Sequence, residues 1–302
     1  MSADRPPVTL PQLAEMKLAA EPIVMVTAYD HPSAEVAEAA GVDLVLVGDT
    51  AAMTMLGHSS TTPVSLDEML VLAKAVRRGV QTPLLIGDLP FGSYEGSNER
   101  AIESATRYVK EAGCDMVKLE RGGLSVERAR AIIRAGIPVM GHVGLTPQTA
   151  TALGGFRAQA KTGSGAVELA EDALALQAVG CFAIVFEAIP AGVTETLMPK
   201  MSTSAVIGIG AGPGTDGQVL VFHDLLGIFG GHAPKFVKRY SSLRKEMVRG
   251  VGEYAREVRE RAFPAAEHSY AIEPEELEAF RRYLDQESLA ASFGGDWSAT
   301  EI

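Results

Sequence analysis

The chain has 302 residues, 47% of them hydrophobic and 22% charged, which supplies a large core and argues against intrinsic disorder. No run of about 20 apolar residues occurs, and the opening MSADRPPVTLPQL lacks a basic segment followed by an apolar one, so neither a membrane span nor a secretory signal is expected. The net charge is −11, of which the residues from Glu267 onward carry −7 through nine acids and two arginines; a chain this acidic is a poor binder of nucleic acid.

In chain order, residues 1–22 read as an N-terminal segment with a short helix near Pro11–Ala19, expected to cap the bottom of a barrel built by the later strands. A first strand, IVMVTAYD (23–30), ends in Tyr29 and Asp30. One pattern then recurs: a helix stops on Gly, a short apolar strand comes next, and the strand ends on a polar or ionisable residue. Its instances are AAGVDLVLVGD (39–49), RGVQTPLLIGD (78–88), EAGCDMVKLE (111–120), RAGIPVMGH (134–142) and AVGCFAIVFE (178–187). Glycine suits a helix end because it adopts the left-handed conformation without strain. Continuous Val/Ile/Leu runs mark parallel strands buried on both faces. Cys114 and Cys181 each follow such a Gly and open a strand, so both are expected to be buried and reduced, in keeping with a cytoplasmic location.

Helices are expected over 31–40, 65–78, 98–112, 124–135 and 165–179, with Ser65 and Glu68 at capping-box spacing. A seventh strand, SAVIGIG (204–210), ends in glycines, and an eighth is expected near Gln218–His223. Alternating β and α units predict a parallel sheet. Polar residues at five consecutive strand ends favour closure, because only a barrel gathers those ends around one mouth. The fold class expected is α/β, a (β/α)8 TIM barrel. Residues 1–264 form it together with the N-terminal helical segment. Lys235–Arg261 is expected to be the final helical region. Residues 265–302 are an acidic C-terminal extension with one helix, Glu275–Glu287.

Barrel enzymes keep their sites at the carboxyl ends of the strands. Here those ends carry Asp49, Asp88, Lys118, Glu120, His142 and Glu187. Carboxylates on consecutive strands repel one another, and a divalent cation resolves the repulsion. Oxygen donors without Cys suit Mg²⁺ or a similar hard ion. Each residue also has a plain structural reading. An Asp at a strand end caps helices or forms turns, Lys118 and Glu120 make an ion pair, and His142 is a satisfied core histidine. Glu187, after a run of apolar residues, would be desolvated if isolated, which suits a base or acid; its structural reading is a salt bridge to a neighbouring strand. Gly212, Gly214 and Gly217 match GxGxxG in spacing but lack a following helix, so dinucleotide binding is a weak reading. The same glycine-rich turn suits a phosphate cradle or a close backbone approach. His58, His223 and His232 have no ligand spacing.

The ordered motifs MVTAYD, LVLVGDTAAMTMLGHSSTTPVSLDEM, LIGDLPFGSYE, MVKLE, GHVGLTPQT, LGGF, FEAIPA, VIGIGAGPGTDGQVLVFHD and GGHAPKFVKRY, spread from about Met25 to Tyr240, resemble the ketopantoate hydroxymethyltransferase family. The resemblance implies a (β/α)8 barrel in a large homo-oligomer, often a decamer. It implies hydroxymethyl transfer from 5,10-methylenetetrahydrofolate to 3-methyl-2-oxobutanoate, through an enolate stabilised by Mg²⁺. It assigns Asp49 and Asp88 as metal ligands, with Glu120 as a third carboxylate near the metal. Asp49, Thr50, Asp88 and Lys118 bind the oxo acid, His142 lines the site, and Glu187 accepts the proton. Partners are then small molecules, not nucleic acid or membrane. The chain departs from the family pattern at Thr50, usually Ser, at Arg121, usually Gly, in GFRAQAK (155–161), and in the tail. The rival readings are a Mg²⁺-dependent lyase or mutase of the phosphoenolpyruvate/isocitrate-lyase type, whose Lys-x-Cys-Gly-His loop is missing here, and a non-catalytic barrel, whose rim would be expected to lack these carboxylates.

Overall fold

The computed structural model describes residues 5–231 and 234–286. Eight parallel strands, β1 (Ile23–Thr27), β2 (Leu44–Val47), β3 (Leu84–Asp88), β4 (Met116–Lys118), β5 (Val139–Gly144), β6 (Ala183–Glu187), β7 (Ala205–Ile209) and β8 (Gly217–Leu220), pair in sequence order, and β8 closes on β1. This is the closed (β/α)8 barrel expected from the strand-end pattern.

Alternation along each strand divides the core in two. Leu44, Leu46, Ile86, Met116, Met140, Val185 and Ile207 face inward and fill the barrel. Their neighbours Val45, Leu85, Val117, Val139, Ile184 and Val206 face outward and pack under the surrounding helices. Each strand obeys the parity rule, because side chains two apart share a face. Val8 and, from helix Leu10–Leu18, Leu13 and Met16 join the inner cluster together with Ile23, Leu44 and Ala205, the first residues of their strands. The N-terminal segment therefore plugs the bottom of the barrel, as expected.

The helices start and stop where local chemistry directs. Asp30 accepts from the Ser33 N–H at 2.8 Å and heads helix His31–Ala40, which ends on left-handed Gly41. Ser65 and Glu68 form the reciprocal capping box before Leu66–Arg77. Ser97 caps Asn98–Ala112, which ends on left-handed Gly113. Helices Leu124–Arg134 and Gly163–Ala178 complete the expected set.

Two boundaries differ from expectation. The eighth strand is Gly217–Leu220 and does not reach His223, because the Phe222 N–H donates to the Thr27 hydroxyl at 2.9 Å and a helical turn, Phe222–Leu225, begins there. The last long helix is Leu243–Arg259 and does not begin at Lys235. The chain before it is instead tied down by Tyr240 and Leu243, whose N–H groups donate to the carbonyls of Leu225 and Leu226 at 2.8 and 3.0 Å. Gly217 opens a strand, so the GxGxxG spacing has no helix N-terminus on which to seat a pyrophosphate.

The described residues divide into two units after Arg244. The second unit contains helix Pro274–Gln286 and an aromatic cluster of Tyr254, Phe263 and His268, with ring centroids 5.6 and 5.0 Å apart. The rest of the acidic extension lies outside the described residues. No described helix is long and apolar enough to cross a membrane. Cys114 and Cys181 are buried and free, and burial pushes both thiols up to about 12.

Gly87, just before Asp88, has no room for a side chain. A Cβ built there would stand 2.3 Å from the Tyr108 ring, whose hydroxyl donates to the Asp88 carbonyl at 2.6 Å. Gly87→Ala should therefore lower stability by about 1–3 kcal/mol through overpacking. Gly192→Ala, where a Cβ meets nothing within 4 Å, should not lower it. Urea unfolding of both variants checks the contrast, and equal midpoints would remove this reason for the glycine.

Candidate active site

Parity carries the inward face of each strand from hydrocarbon to ionisable groups. Ile86 is followed by Asp88, Met116 by Lys118 and Glu120, Met140 by His142, and Val185 by Glu187. The register places Asp88 beside Lys118, and His142 beside Val185, one inward step below Glu187. Asp49 leaves this series. It follows Gly48 at the end of β2, and its N–H donates to Asp88 Oδ2 at 3.1 Å.

These groups form two connected sets. Lys118 Nζ donates to both oxygens of Asp88, at 2.7 and 2.9 Å, and lies 3.7 Å from Glu120 Oε1. His142 bridges two carboxylates, with Nδ1 3.4 Å from Glu120 Oε1 and Nε2 3.2 Å from Glu187 Oε2. Those two contacts have ion-pair distances without hydrogen-bond alignment: both ring nitrogens and Glu120 Oε1 are buried and lack an aligned partner. Glu187 is the most open of the set, with 16% of its side chain exposed against 1% for Glu120. Of the two readings of its apolar strand, the isolated carboxylate and the partner on a neighbouring strand, the structure shows the second, with His142 of β5 as the partner. Thr50 is half-buried at the cavity wall, and its hydroxyl caps no helix.

The electrostatics are unbalanced. Asp49, Asp88, Glu120 and Glu187 face one ammonium and one imidazole. Burial pushes Asp49 well above the usual carboxylate range, and the charges of Asp88 and Glu120 add to the effect. Burial acts to lower Lys118, but Asp88, Glu120 and Asp49 outweigh it and hold the ammonium above its ordinary value. His142 is opposed by burial and by Lys118, yet Glu120 and Glu187 raise it to about 9. Glu120 is held low, against burial, by His142 and Lys118.

The set carries more negative than positive charge, an imbalance that a bound cation would offset. Among the described residues no group of three or more His, Cys, Asp or Glu is placed to hold a metal ion by itself. Asp49 and Asp88, joined by the Asp49 N–H donating to Asp88 Oδ2, offer instead the sparse oxygen set that suits an ion retaining water. The unpartnered Glu120 Oε1 fits a role behind that ion.

The cluster lines a cavity of about 970 Å³ whose wall includes Phe156, Ile189, Phe229 and Phe236. Two residues escaped the sequence reading. Gln148, in the turn after β5, donates from its side chain to Asp49 Oδ2 at 3.0 Å and from its backbone to Glu120 Oε2 at 3.1 Å. The Tyr94 hydroxyl donates to Gln148 Oε1 at 2.8 Å. The only signal was a polar residue after Thr-Pro in a strand-end loop.

The profile of the family described as Ketopantoate hydroxymethyltransferase matches residues 7–266. The chain belongs to the ketopantoate hydroxymethyltransferase family. It is 50% identical to the 3-methyl-2-oxobutanoate hydroxymethyltransferase of Moorella thermoacetica, over 89% of this chain and 99% of that one. It is 48% identical to that of Heliobacterium modesticaldum, over 89% and 97%, and 48% identical to a mitochondrial one of Arabidopsis thaliana, over 92% and 82%. As a member of this family the chain is an enzyme. Solved structures show a wider kinship of fold alone. Phosphonopyruvate hydrolase superposes with TM-score 0.57 at 13% identity, covering 95% of this chain and 99% of that one. 2,3-Dimethylmalate lyase, of the PEP mutase/isocitrate lyase superfamily, gives 0.55 at 16%, covering 96% and 100%. The rival lyase or mutase reading thus survives as a relationship of fold.

Arg121, an expected departure from the family pattern, has φ +77° directly after Glu120 and donates its N–H to the His142 carbonyl at 2.9 Å. A side chain there is strained by about 1–2 kcal/mol. Arg121→Gly should raise the urea midpoint while leaving the site backbone in place. A lower midpoint would mean that the arginine side chain stabilises by more than its backbone costs.

Proposed function

We propose that this chain transfers a one-carbon unit from 5,10-methylenetetrahydrofolate to 3-methyl-2-oxobutanoate, giving 2-dehydropantoate. The observation that carries the reading is the gathering of Asp49, Asp88, Lys118, Glu120, His142 and Glu187 at the strand ends of a closed barrel, lining a cavity far larger than a five-carbon oxo acid. The remaining volume suits a bulky co-substrate. Bound by Asp49 and Asp88, Mg²⁺ would supply Lewis acidity at the keto oxygen and carboxylate of the oxo acid.

The side chains divide the remaining work. Lys118, kept protonated by its neighbours, faces the negative charge that develops on oxygen when the C3 proton leaves. Thr50 contributes a hydroxyl at the cavity wall. Glu187, the most exposed carboxylate of the cluster, takes the C3 proton. His142 stands one inward step below Glu187, 3.2 Å from its Oε2, and links it to Glu120. The apolar wall holds the carbon chain and limits water around the carbanionic centre. Small-molecule partners in a cytoplasmic homo-oligomer fit this reading.

With Mg²⁺ and 3-methyl-2-oxobutanoate in D₂O, loss of the C3 proton signal by NMR should be rapid in the parent enzyme. It should fall by about 10²-fold or more in Glu187→Gln, while binding of the oxo acid persists. Exchange at the parent rate in that variant would remove Glu187 from the role. Because Asp49 is raised in the free site, a cation must displace a proton from it below that raised value. Affinity for Mg²⁺ should therefore increase with pH, and calorimetry in buffers of different ionisation enthalpy should register proton release. Asp49→Asn should weaken Mg²⁺ binding and diminish both effects, with Asp88, also raised by burial, left to contribute the remainder, and an unaltered pH slope in this variant would refute the ligand assignment.

A further inference from the structure

We propose that Gln148, itself held by Tyr94, is a positioning residue that sets the rotation of the Asp49 and Glu120 carboxylates toward the cation seat. The proposal rests on the reading of Asp49 and Asp88 as that seat. Gln148 is 4% exposed and Tyr94 1%. Neither lines the cavity, so any influence they have on the reaction runs through the carboxylates.

The bonding leaves the amide one orientation. Nε2 donates to Asp49 Oδ2 at 3.0 Å and to the Leu89 carbonyl at 2.9 Å, which uses both of its protons. Oε1 accepts from the Tyr94 hydroxyl at 2.8 Å. A flipped amide would set oxygen against a carboxylate and a carbonyl. The Tyr94 hydroxyl in turn accepts from the Glu120 N–H at 3.2 Å, which commits its own proton to Gln148. Burial first, and then the charges of Glu120 and Glu95, keep Tyr94 a neutral phenol and hence a donor.

The Gln148 backbone acts on the second carboxylate by donating to Glu120 Oε2 at 3.1 Å. One residue thus engages one oxygen from each of two carboxylates that come from the ends of β2 and β4. What it leaves is Asp49 Oδ1 and Glu120 Oε1. The latter is buried, has no aligned partner, and lies 3.4 Å from His142 Nδ1. Buried polar atoms are rarely left without partners. A pair of oxygens freed in this way presents the cation, or water around it, with a fixed geometry that two loose carboxylates would not keep.

The test uses the full chain and Mn²⁺ alone as probe, with free Mn²⁺ read by electron paramagnetic resonance. Gln148→Met keeps the side-chain length and removes the amide. It should weaken Mn²⁺ binding by about 10- to 100-fold, the effect usual for partners that orient metal ligands. Tyr94→Phe should shift affinity the same way by less, since the amide keeps its bonds to Asp49 and Leu89. A purely structural role would lower the urea midpoint and leave the Mn²⁺ affinity of the folded protein untouched. Unchanged affinity in both folded variants overturns the proposal. If Gln148→Met does not fold, Tyr94→Phe, which loses one oxygen and no packing, decides alone. Asp49→Asn separates the two readings. Binding lost there but kept in Gln148→Met sinks the positioning role only, whereas binding kept in Asp49→Asn sinks the cation reading and this proposal with it.

Discussion

Four carboxylates share one ring of strand ends with a single ammonium. Moving such charges out of water is costly, and the cost falls only if each finds a partner. The strand ladder supplies those partners. Asp88 and Lys118 meet because β3 and β4 are in register at those two residues. His142 spans Glu120 and Glu187 because β5 carries it one inward step below the end of β6. Even the glycines serve this end. Gly87 lets the Tyr108 ring press on the strand from outside, and the hydroxyl of that ring holds the Asp88 carbonyl in place. Remaining negative charge is what a bound cation would complete.

Much of this was legible in the residue order. Helix limits at 31–40 and 98–112 could be read because Asp30, Ser97, Gly41 and Gly113 act locally, through side-chain caps and left-handed glycines. The end of β8 could not. VLVFHD continues as an apolar run, and only a long-range bond from Phe222 to Thr27 stops the strand. Strand-end residues of the site were legible through period two combined with an ionisable type. Gln148 was not, because it sits in a short turn past β5, is uncharged, and owes its role to three other elements. For Glu187 the sequence left two settings open, an isolated carboxylate or a partner on the neighbouring strand, and could not name His142 as that partner, because one strand's composition does not report its neighbour's register.

The kinship of fold with phosphonopyruvate hydrolase and 2,3-dimethylmalate lyase shows how little the scaffold dictates. A barrel places strand ends around a mouth, and the side chains at those ends decide the chemistry. Here those ends carry a lysine between carboxylates on one side of the ring and a histidine-linked glutamate on the other. Family membership and this arrangement agree, although one comes from the whole chain and the other from six side chains.

The segment that plugs the barrel at Leu13 and Met16 has a consequence for traffic. Together with Leu44, Ile86, Met116 and Met140 it leaves the barrel packed beneath the ionisable ring, so the ring is approached from the strand-end side, where the cavity lies.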